Sequence, residues 1–267
     1  MASFSVVTNI AALNATANLY STQLGLNKAL TRVSSGLRIN SSADDAAGLA
    51  VANGFRSKVA ILTQGVRNAN DALSDLQIKD SALDNISKLL DRLAVLATQA
   101  ATSSTTDTQR TTLDQEFQDV VDEIARESNV AGFAVASTYS VYVSNDGPDG
   151  IVTGNVGAVT ETSLGLGALS VASEAGAQAA VTAVTAAIAT LGGVQGEIGT
   201  VANRLSYAIA LGQSQIVSNK AAESRIRDAN LAEESANLTR FSILNQSGIA
   251  ALAQANQSTA VVLALLK

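Results

Sequence analysis

Apart from Lys267, every charged side chain of this 267-residue chain lies between Lys28 and Arg240. Residues 1–27 and residues 241–266 contain no Asp, Glu, Lys or Arg. An unpaired charge that is taken out of water costs on the order of several kcal/mol, so a segment without charge is suited to burial. We therefore expect the two ends of the chain to pack against each other and against copies of themselves.

A membrane span is the competing explanation of two uncharged ends, and the composition argues against it. A spanning helix needs about 20 mostly apolar residues, whereas residues 241–266 are interrupted by amides and hydroxyls throughout. The N-terminal segment has no basic region before its apolar residues and is interrupted by Asn9, Asn14 and Asn18. It therefore lacks the pattern of a cleavable signal peptide, and we expect no membrane role.

The amino-acid composition excludes several kinds of chemistry. The chain has no Cys and no His, which removes thiol chemistry, disulfides, the usual zinc ligands and the commonest general base. The net charge is −6, and no basic patch suggests nucleic acid as a partner. We expect no enzymatic activity, no metal and no cofactor. A single Pro and 3% aromatic residues favour long helices that pack through small side chains.

Apolar residues recur at alternating spacings of three and four residues near both ends of the chain. Such a repeat predicts helices that wrap around each other. We predict that the following residues form a self-assembly seam: Ile10, Leu13, Tyr20, Leu24, Leu238, Phe241, Leu252, Val262 and Leu266.

The same spacing recurs in the interior of the chain. It runs from Phe55 to Leu76 and continues from Leu83 to Ala97. In the second half, the larger apolar residues predict two registers with a shift between them. The first contains Val181, Val184, Ile188 and Leu191, and the second contains Ile198, Val201, Leu205 and Ala208.

Polar interruptions mark the expected ends of these helices. Ser42 with Asp45 predicts a capping box that opens a helix from about residue 43 to residue 100. A loop at 102–108 precedes a third helix with Phe117 on its apolar face. Short β-prone segments at 140–143 and 151–153 predict a hairpin, and helical sequence resumes near Ala175. The predicted fold is mainly α: a long antiparallel helical bundle or coiled-coil rod with a small β-hairpin element, within about 131–175, near the chain midpoint.

Several segments, in order along the chain, carry motifs of one family. Residues 34–40 are SSGLRIN and residues 44–50 are DDAAGLA. Residues 224–230 are SRIRDAN, and residues 249–267 contain LAQANQ. Together with Asn203-Arg204-Leu205, these segments closely resemble the N- and C-terminal regions of bacterial flagellins.

This resemblance implies a secreted subunit that self-assembles into the extracellular filament of the bacterial flagellum for motility. It implies export in an unfolded state and polymerisation at the distal tip. The implied partners are other copies of the chain, the flagellar export apparatus, an export chaperone, the filament cap and the hook-junction proteins. Residues 1–40 with 226–267 correspond to the terminal coiled coil of the inner tube, and residues 41–225 to the helical domain of the outer tube. Residues 131–175 are too few for a large outer domain, which implies a short flagellin.

The resemblance also assigns two sets of residues to specific surfaces. An inter-layer junction is implied at Leu37, Arg38, Ile39, Asn40, Asp44 and Asp45. Many flagellins present an Arg and two Glu residues to a vertebrate innate receptor. The matching positions here are Arg92, Val95 and Glu123, and the valine in place of a Glu implies weak recognition.

Three alternatives remain open at this point. A hook–filament junction protein shares the terminal coiled coil, although the match at residues 34–50 favours flagellin. An enzyme, such as a flagellin with a protease insert, would need a His-Glu-x-x-His motif, and the chain has no His. A membrane-active amphipathic protein would bind liposomes as a monomer.

Overall fold

The computed structural model describes the backbone of residues 8–265 and the side chains of residues 8–258. This part of the chain is mainly helical, with one small antiparallel sheet, and it confirms the predicted fold class. The elements in order are α1 (Ile10–Ser35), α2 (Ala46–Ala100), α3 (Asp107–Ala131), β1 (Ser137–Tyr142), a short 3-10 helix (Gly147–Gly150), β2 (Ile151–Val156), α4 (Glu174–Arg227) and α5 (Leu231–Leu265).

The chain divides into two compact units. The first unit is Met1–Ser57 with Ser218–Lys267, and the second unit is Lys58–Val217. The first unit therefore contains α1 and α5, while the second contains α3, the hairpin and the longer parts of α2 and α4.

A single hydrophobic core fills the second unit, and α2 contributes a regular spine to it. Leu62, Ala69, Leu76 and Leu83 are buried at intervals of seven residues. The spacing then alternates between three and four as far as Ala100. The predicted apolar face of α2 is therefore confirmed in this unit. From α3, the core receives Phe117, Val121 and Ile124.

The buried face of α4 differs from the prediction. One continuous register runs from Ala177 to Leu205 at alternating spacings of three and four, without the predicted shift. Ala180 and Ala187 occupy the positions that the sequence analysis gave to Val181 and Ile188. Small side chains allow close packing of helices, so the alanines face the core while the larger neighbours lie toward its edge or in solvent.

By length and composition, α4 is also long and apolar enough to cross a membrane. Its most apolar window has a mean hydropathy of 1.5, and one third of that window is buried inside the protein. The buried residues follow the heptad spacing of a core helix, and much of the remaining hydropathy comes from alanine on the other faces. Packing in the core of the second unit therefore accounts for this composition.

The start of α2 differs from the predicted capping box of Ser42 with Asp45. The helix begins at Ala46, three residues later than expected, and the carbonyl of Asp45, the residue before it, accepts from the Leu49 amide at 3.0 Å. The Gly48 amide donates to Asp45 Oδ1 at 2.8 Å, so the carboxylate satisfies a free N–H group of the first turn. A capping box does occur at the start of α3, between Thr106 and Gln109.

A buried arginine caps the C-terminal end of α2. Arg110 donates from Nε to the Ala100 carbonyl at 2.9 Å and from Nη2 to the Thr102 carbonyl at 3.0 Å. Asp107 accepts from its Nη1 at 3.1 Å. The guanidinium thus satisfies carbonyls that the helix end leaves without partners.

The hairpin is confirmed, and its strands are longer than predicted. β1 and β2 pair in antiparallel register, with Val141 opposite Val152. The chain after β1 lies directly on α2, where a Cβ atom built on Gly65 would be 1.8 Å from the Val143 carbonyl oxygen. Only a residue without a side chain allows this approach.

Candidate assembly interface

The first unit is built around a pair of antiparallel helices, α1 and α5. On α1, a set of partly or fully buried positions follows a heptad spacing: Ala12, Ala15, Leu19, Thr22, Leu26, Ala29 and Val33. On α5, the corresponding positions are Glu234, Leu238, Phe241, Asn245, Gly248, Leu252 and Ala255. Two complementary heptad faces define the intrachain seam of this unit.

Small residues and neutral amides fix the alignment of this seam. The Phe241 ring lies against Gly25, where an added Cβ would be 2.6 Å from the nearest ring atom. Asn245 Nδ2 donates to Gln23 Oε1 at 2.7 Å, and Asn9 Nδ2 donates to the Ala255 carbonyl at 2.9 Å. These contacts involve no charged group and favour one register of the two helices.

The N-terminal residues predicted for the seam lie elsewhere. Ile10, Leu13, Tyr20 and Leu24 are 60%, 61%, 68% and 53% exposed. At 100° per residue they lie on the side of α1 opposite the seam. The apolar spacing predicts one seam that joins these residues to Leu238, Phe241 and Leu252, whereas the structure divides the two sets between two faces. We refer to Ile10, Leu13, Ala17, Tyr20 and Leu24 as the α1 stripe.

The C-terminal residues of the prediction agree better with the structure. Leu238, Phe241 and Leu252 lie in the intrachain seam. The side chain of Val262 and the whole of Leu266 lie outside the described residues. The sequence analysis missed a second exposed set on α5, consisting of Ile243, Leu244 and Ile249. These residues fall between the heptad positions, which is why the register analysis passed over them.

The predicted junction residues come together within the first unit. Leu37 and Asp228 form an isolated antiparallel bridge. The Arg38 amide donates to the Arg227 carbonyl at 2.6 Å, and Arg38 Nη2 donates to the Ile226 carbonyl at 2.7 Å. Ile39 is 1% exposed. The segment after α1 is thus tied to the chain between α4 and α5.

Asp44 is the electrostatic centre of this junction. Its carboxylate lies 2.9 Å from Lys28 Nζ and accepts from the backbone amides of Asn40 and Ser41 at 3.3 and 3.2 Å. The hydrogen bond from Lys28, followed by that from the Ser41 amide, lowers the pKa of Asp44 from 3.8 to about 2.

This lowered pKa predicts a specific acid sensitivity. Because the folded protein holds Asp44 ionised more strongly than the unfolded chain, the contribution is complete above pH 3.8 and is lost as the pH falls through about 2. We expect Asp44→Asn to lower the melting temperature at pH 4 and to have a much smaller effect at pH 2, where Asp44 of the folded protein is about half protonated. Thermal melts of filaments of both proteins at pH 2, 3 and 4 measure this difference, because Lys28 lies on α1. An equal difference at all three values would contradict the assignment.

A second ion pair of the first unit was not predicted. Arg32 Nη1 lies 2.8 Å from Glu234 Oε1, and both side chains are largely buried. The Nε atom of Arg32 is buried without a hydrogen-bond partner. The two residues are 202 positions apart in the sequence. No local pattern could therefore have paired them.

The residues of the possible receptor face are exposed but engaged within the second unit. Arg92 pairs with Glu116, and Glu123 pairs with Arg126. The hydrogen bond from Arg126 lowers the pKa of the Glu123 carboxyl. Val95, which lies between Arg92 and Glu123 in the sequence, is 55% exposed. Among the described residues, no group of three or more acidic residues is arranged to hold a metal ion.

Comparison with known proteins identifies the family. The profile described as Bacterial flagellin N-terminal helical region matches residues 6–135, and that described as Bacterial flagellin C-terminal helical region matches residues 181–266. A flagellin of Halalkalibacterium halodurans is 34% identical over 97% of this chain and 98% of its own length. The chain belongs to the flagellin family.

Two further curated relatives agree with this assignment. The flagellar filament 33 kDa core protein of Treponema phagedenis is 32% identical over 97% of this chain and 98% of its own. A flagellin of Listeria monocytogenes is 31% identical over 98% of this chain and 99% of its own length. The crystal structure of a Bacillus cereus flagellin aligns with a TM-score of 0.48 and 27% identity, over 54% of this chain and 88% of that one.

Flagellins are structural subunits of the bacterial flagellar filament, and this chain is a filament subunit that forms a homopolymer outside the cell. Full-length matches to flagellins do not favour the hook–filament junction alternative. Both the recognition of the family and the predicted role in motility are therefore confirmed.

Proposed function

We propose that the α1 stripe is a contact between subunits, by which the first unit of one copy packs against the same unit of its neighbours. A single observation carries this proposal. The stripe is apolar, has heptad spacing, contains no charge and is exposed on the side of α1 opposite the intrachain seam. A helix with two apolar faces is suited to packing between two partners.

The α1–α5 pair supplies little stability by itself. Among the residues with described side chains, only Ala29 of α1 and Glu234 of α5 are fully buried. Burial of a Leu or Ile contributes about 1.5–3 kcal/mol, whereas ordering the backbone costs about 1–2 kcal/mol per residue. A half-buried seam does not offset that cost, so the terminal helices become stably ordered only when neighbouring subunits cover the α1 stripe.

Hydrogen–deuterium exchange tests this coupling of order to assembly. In the free subunit we expect the amides of α1 and α5 to exchange rapidly. In the filament the same amides should exchange at least about 100-fold more slowly. Amides of α2 between Leu83 and Ala97 serve as the internal control, because that stretch is buried in the second unit and stays protected in both states. Strong protection of α1 in the free subunit would contradict the proposal.

The remaining assignments follow from the family. Residues 1–40 with 226–267 form the inner layer of the filament, and residues 41–225 form the outer layer. The junction at Leu37–Asn40 with Asp44 and Asp45 connects the two layers. Its contacts to Ile226, Arg227 and Asp228 support this role.

The chain has no enzymatic activity in this proposal and needs no cofactor. It is exported unfolded by the flagellar export apparatus with an export chaperone, and it polymerises at the distal tip beneath the filament cap, beyond the hook-junction proteins. Recognition by an innate receptor through Arg92 and Glu123 is weak. Both side chains are already paired, and Val95 supplies no carboxylate between them.

A further inference from the structure

The turn between β1 and β2 contains the same chemically labile dipeptide twice. Asp146-Gly147 and Asp149-Gly150 lie within residues 144–150. Glycine after an aspartate favours closure of a five-membered succinimide ring, because no side chain hinders the attack of its amide nitrogen. Asn53-Gly54 can close the same ring, but it lies inside α2, where helical hydrogen bonds hold the Gly54 amide. The turn therefore offers two sites of equal sequence in two different environments.

The first of these sites is exposed and weakly held. Asp146 and Gly147 are both exposed, and Gly147 has a φ of +64° with no atom within 4 Å of a Cβ built on it. The Asp146 side chain caps no N–H group of the short 3-10 helix, and it accepts one hydrogen bond, from Ser144 Oγ at 2.9 Å. A cavity of about 230 Å³, which Leu62 and Ala208 help to line, leaves room beside this turn. The backbone at Asp146 can therefore rearrange at low cost.

The second site is fixed in place. Gly150 is buried, and its carbonyl accepts from the Val143 amide at 2.8 Å and from the Ser144 amide at 3.1 Å. A Cβ atom built on Gly150 would be 2.3 Å from the Ser144 carbonyl oxygen, so the two backbone segments are in close contact. Ring closure at Asp149 must therefore wait until the turn opens.

We propose that Asp146 is a site of spontaneous isomerisation to isoaspartate and that the fold protects Asp149 from the same reaction. The Gly147 nitrogen attacks Cγ of the protonated Asp146 side chain. A C–N bond forms, and the amide hydrogen and the carboxyl hydroxyl leave as water. A water molecule then opens the succinimide at one of its two C–N bonds, which gives aspartate or isoaspartate. The reaction is intramolecular and needs no reagent other than water.

Isomerisation would change the turn permanently. The product has one extra methylene group in the main chain between Asp146 and Gly147, and its carboxylate lies on the α carbon instead of the position that faces Ser144 Oγ. The chain is a filament subunit outside the cell, where repair enzymes of the cytoplasm do not reach it. We therefore expect isoaspartate to accumulate with the age of the filament. This inference does not depend on the α1 stripe.

Two asparagine variants compare the sites directly. In Asp146→Asn and in Asp149→Asn, the same ring closure releases ammonia, so mass spectrometry of the intact full-length protein follows the reaction. The natural chain gives the background from its other asparagines. In folded free subunits we expect Asp146→Asn to react at least about tenfold faster than Asp149→Asn. Equal rates, or a faster reaction of Asp149→Asn, would overturn the proposal.

Unfolding in urea provides the matched control. Without the fold, both variants present the same Asn-Gly dipeptide without restraint, and we expect their rates to become similar. A rate ratio that is unchanged in urea would assign the difference to neighbouring residues in the sequence, and it would also overturn the proposal. None of these outcomes bears on the role of the α1 stripe.

Aged natural filaments show whether Asp146 itself reacts. Trypsin releases both sites in one peptide, residues 127–204, because no Lys or Arg lies between Arg126 and Arg204. This peptide is labelled with an isoaspartate-specific methyltransferase and radioactive S-adenosylmethionine. We expect most of the label to disappear in Asp146→Glu but not in Asp149→Glu, because a glutamate would have to close a six-membered ring. Equal label in Asp146→Glu and in the natural chain would overturn the proposal.

Discussion

Replacing Leu13 with lysine is expected to stop filament growth while the subunit stays folded. Leu13 is 61% exposed on the α1 stripe and takes no part in the intrachain seam. In the free subunit, a lysine at this position lies in water and costs almost nothing. In a filament, the ammonium would be buried in an apolar contact at a cost of several kcal/mol, and every subunit would repeat that cost.

The measurement is sedimentation and electron microscopy of Leu13→Lys after seeding with natural filaments. Circular dichroism and the melting temperature of the second unit should be unchanged, which shows that the loss arises in assembly. Gln115→Lys adds the same charge at an exposed polar position of α3 and should elongate filaments normally. Growth of Leu13→Lys at the natural rate would remove the α1 stripe from the interface.

Gly65→Ala should be among the most damaging single-methyl changes in the second unit. The new Cβ would lie 1.8 Å from the Val143 carbonyl oxygen and 2.5 Å from its carbonyl carbon. Both atoms belong to the backbone that follows β1, so no side chain can rotate away. Either α2 or the hairpin must move, and overpacking of this kind costs about 2–4 kcal/mol in unfolding free energy.

The same substitution elsewhere on α2 provides the control. Gly54 also lies in the helix interior, but no atom is within 4 Å of a Cβ built on it. Gly54→Ala should stabilise the protein by about 0.5–1 kcal/mol, because alanine has the higher helix propensity. Urea unfolding followed by circular dichroism compares the two variants with the natural chain. Shifts of the same sign would contradict the close contact between Gly65 and Val143.

Patterns of period seven allowed much of the fold to be predicted from sequence. The end of α2 at Ala100, the spine from Leu83 to Ala97 and the central hairpin all match the structure. Each rests on a signal that is local in the chain: regular apolar spacing, a cluster of turn residues or a run of β-prone residues.

Errors arose where alanine or glycine occupies a contact position. Ala180 and Ala187 face the core while Ile188 does not, and Gly25 receives Phe241 in the terminal pair. A search for large apolar residues favours the wrong side of a helix when close packing requires small ones. On α1 the same search found the exposed stripe and passed over the small residues of the intrachain seam.

Long-range polar contacts could not be predicted at all. The pairing of Arg32 with Glu234 and the contact of Lys79 with the Ala131 carbonyl at 3.0 Å depend on how the helices are brought together. The family motif did locate Arg38 and Asp44 at the junction, but the backbone partners of Arg38 and the position of Lys28 became visible only in three dimensions.

Two hydrogen bonds between uncharged groups help to align α1 with α5. They join Asn9 to Ala255 and Asn245 to Gln23. Amide groups neither titrate in acid nor attract counterions, so brackish, saline or acidified surroundings leave the alignment of these two helices unchanged. Between these two helices, sensitivity to the medium falls on the Arg32–Glu234 ion pair rather than on the amide contacts. The end of the α1–α5 pair near Asn9 and Ala255 therefore keeps its geometry in media that weaken the ion pair farther along these helices.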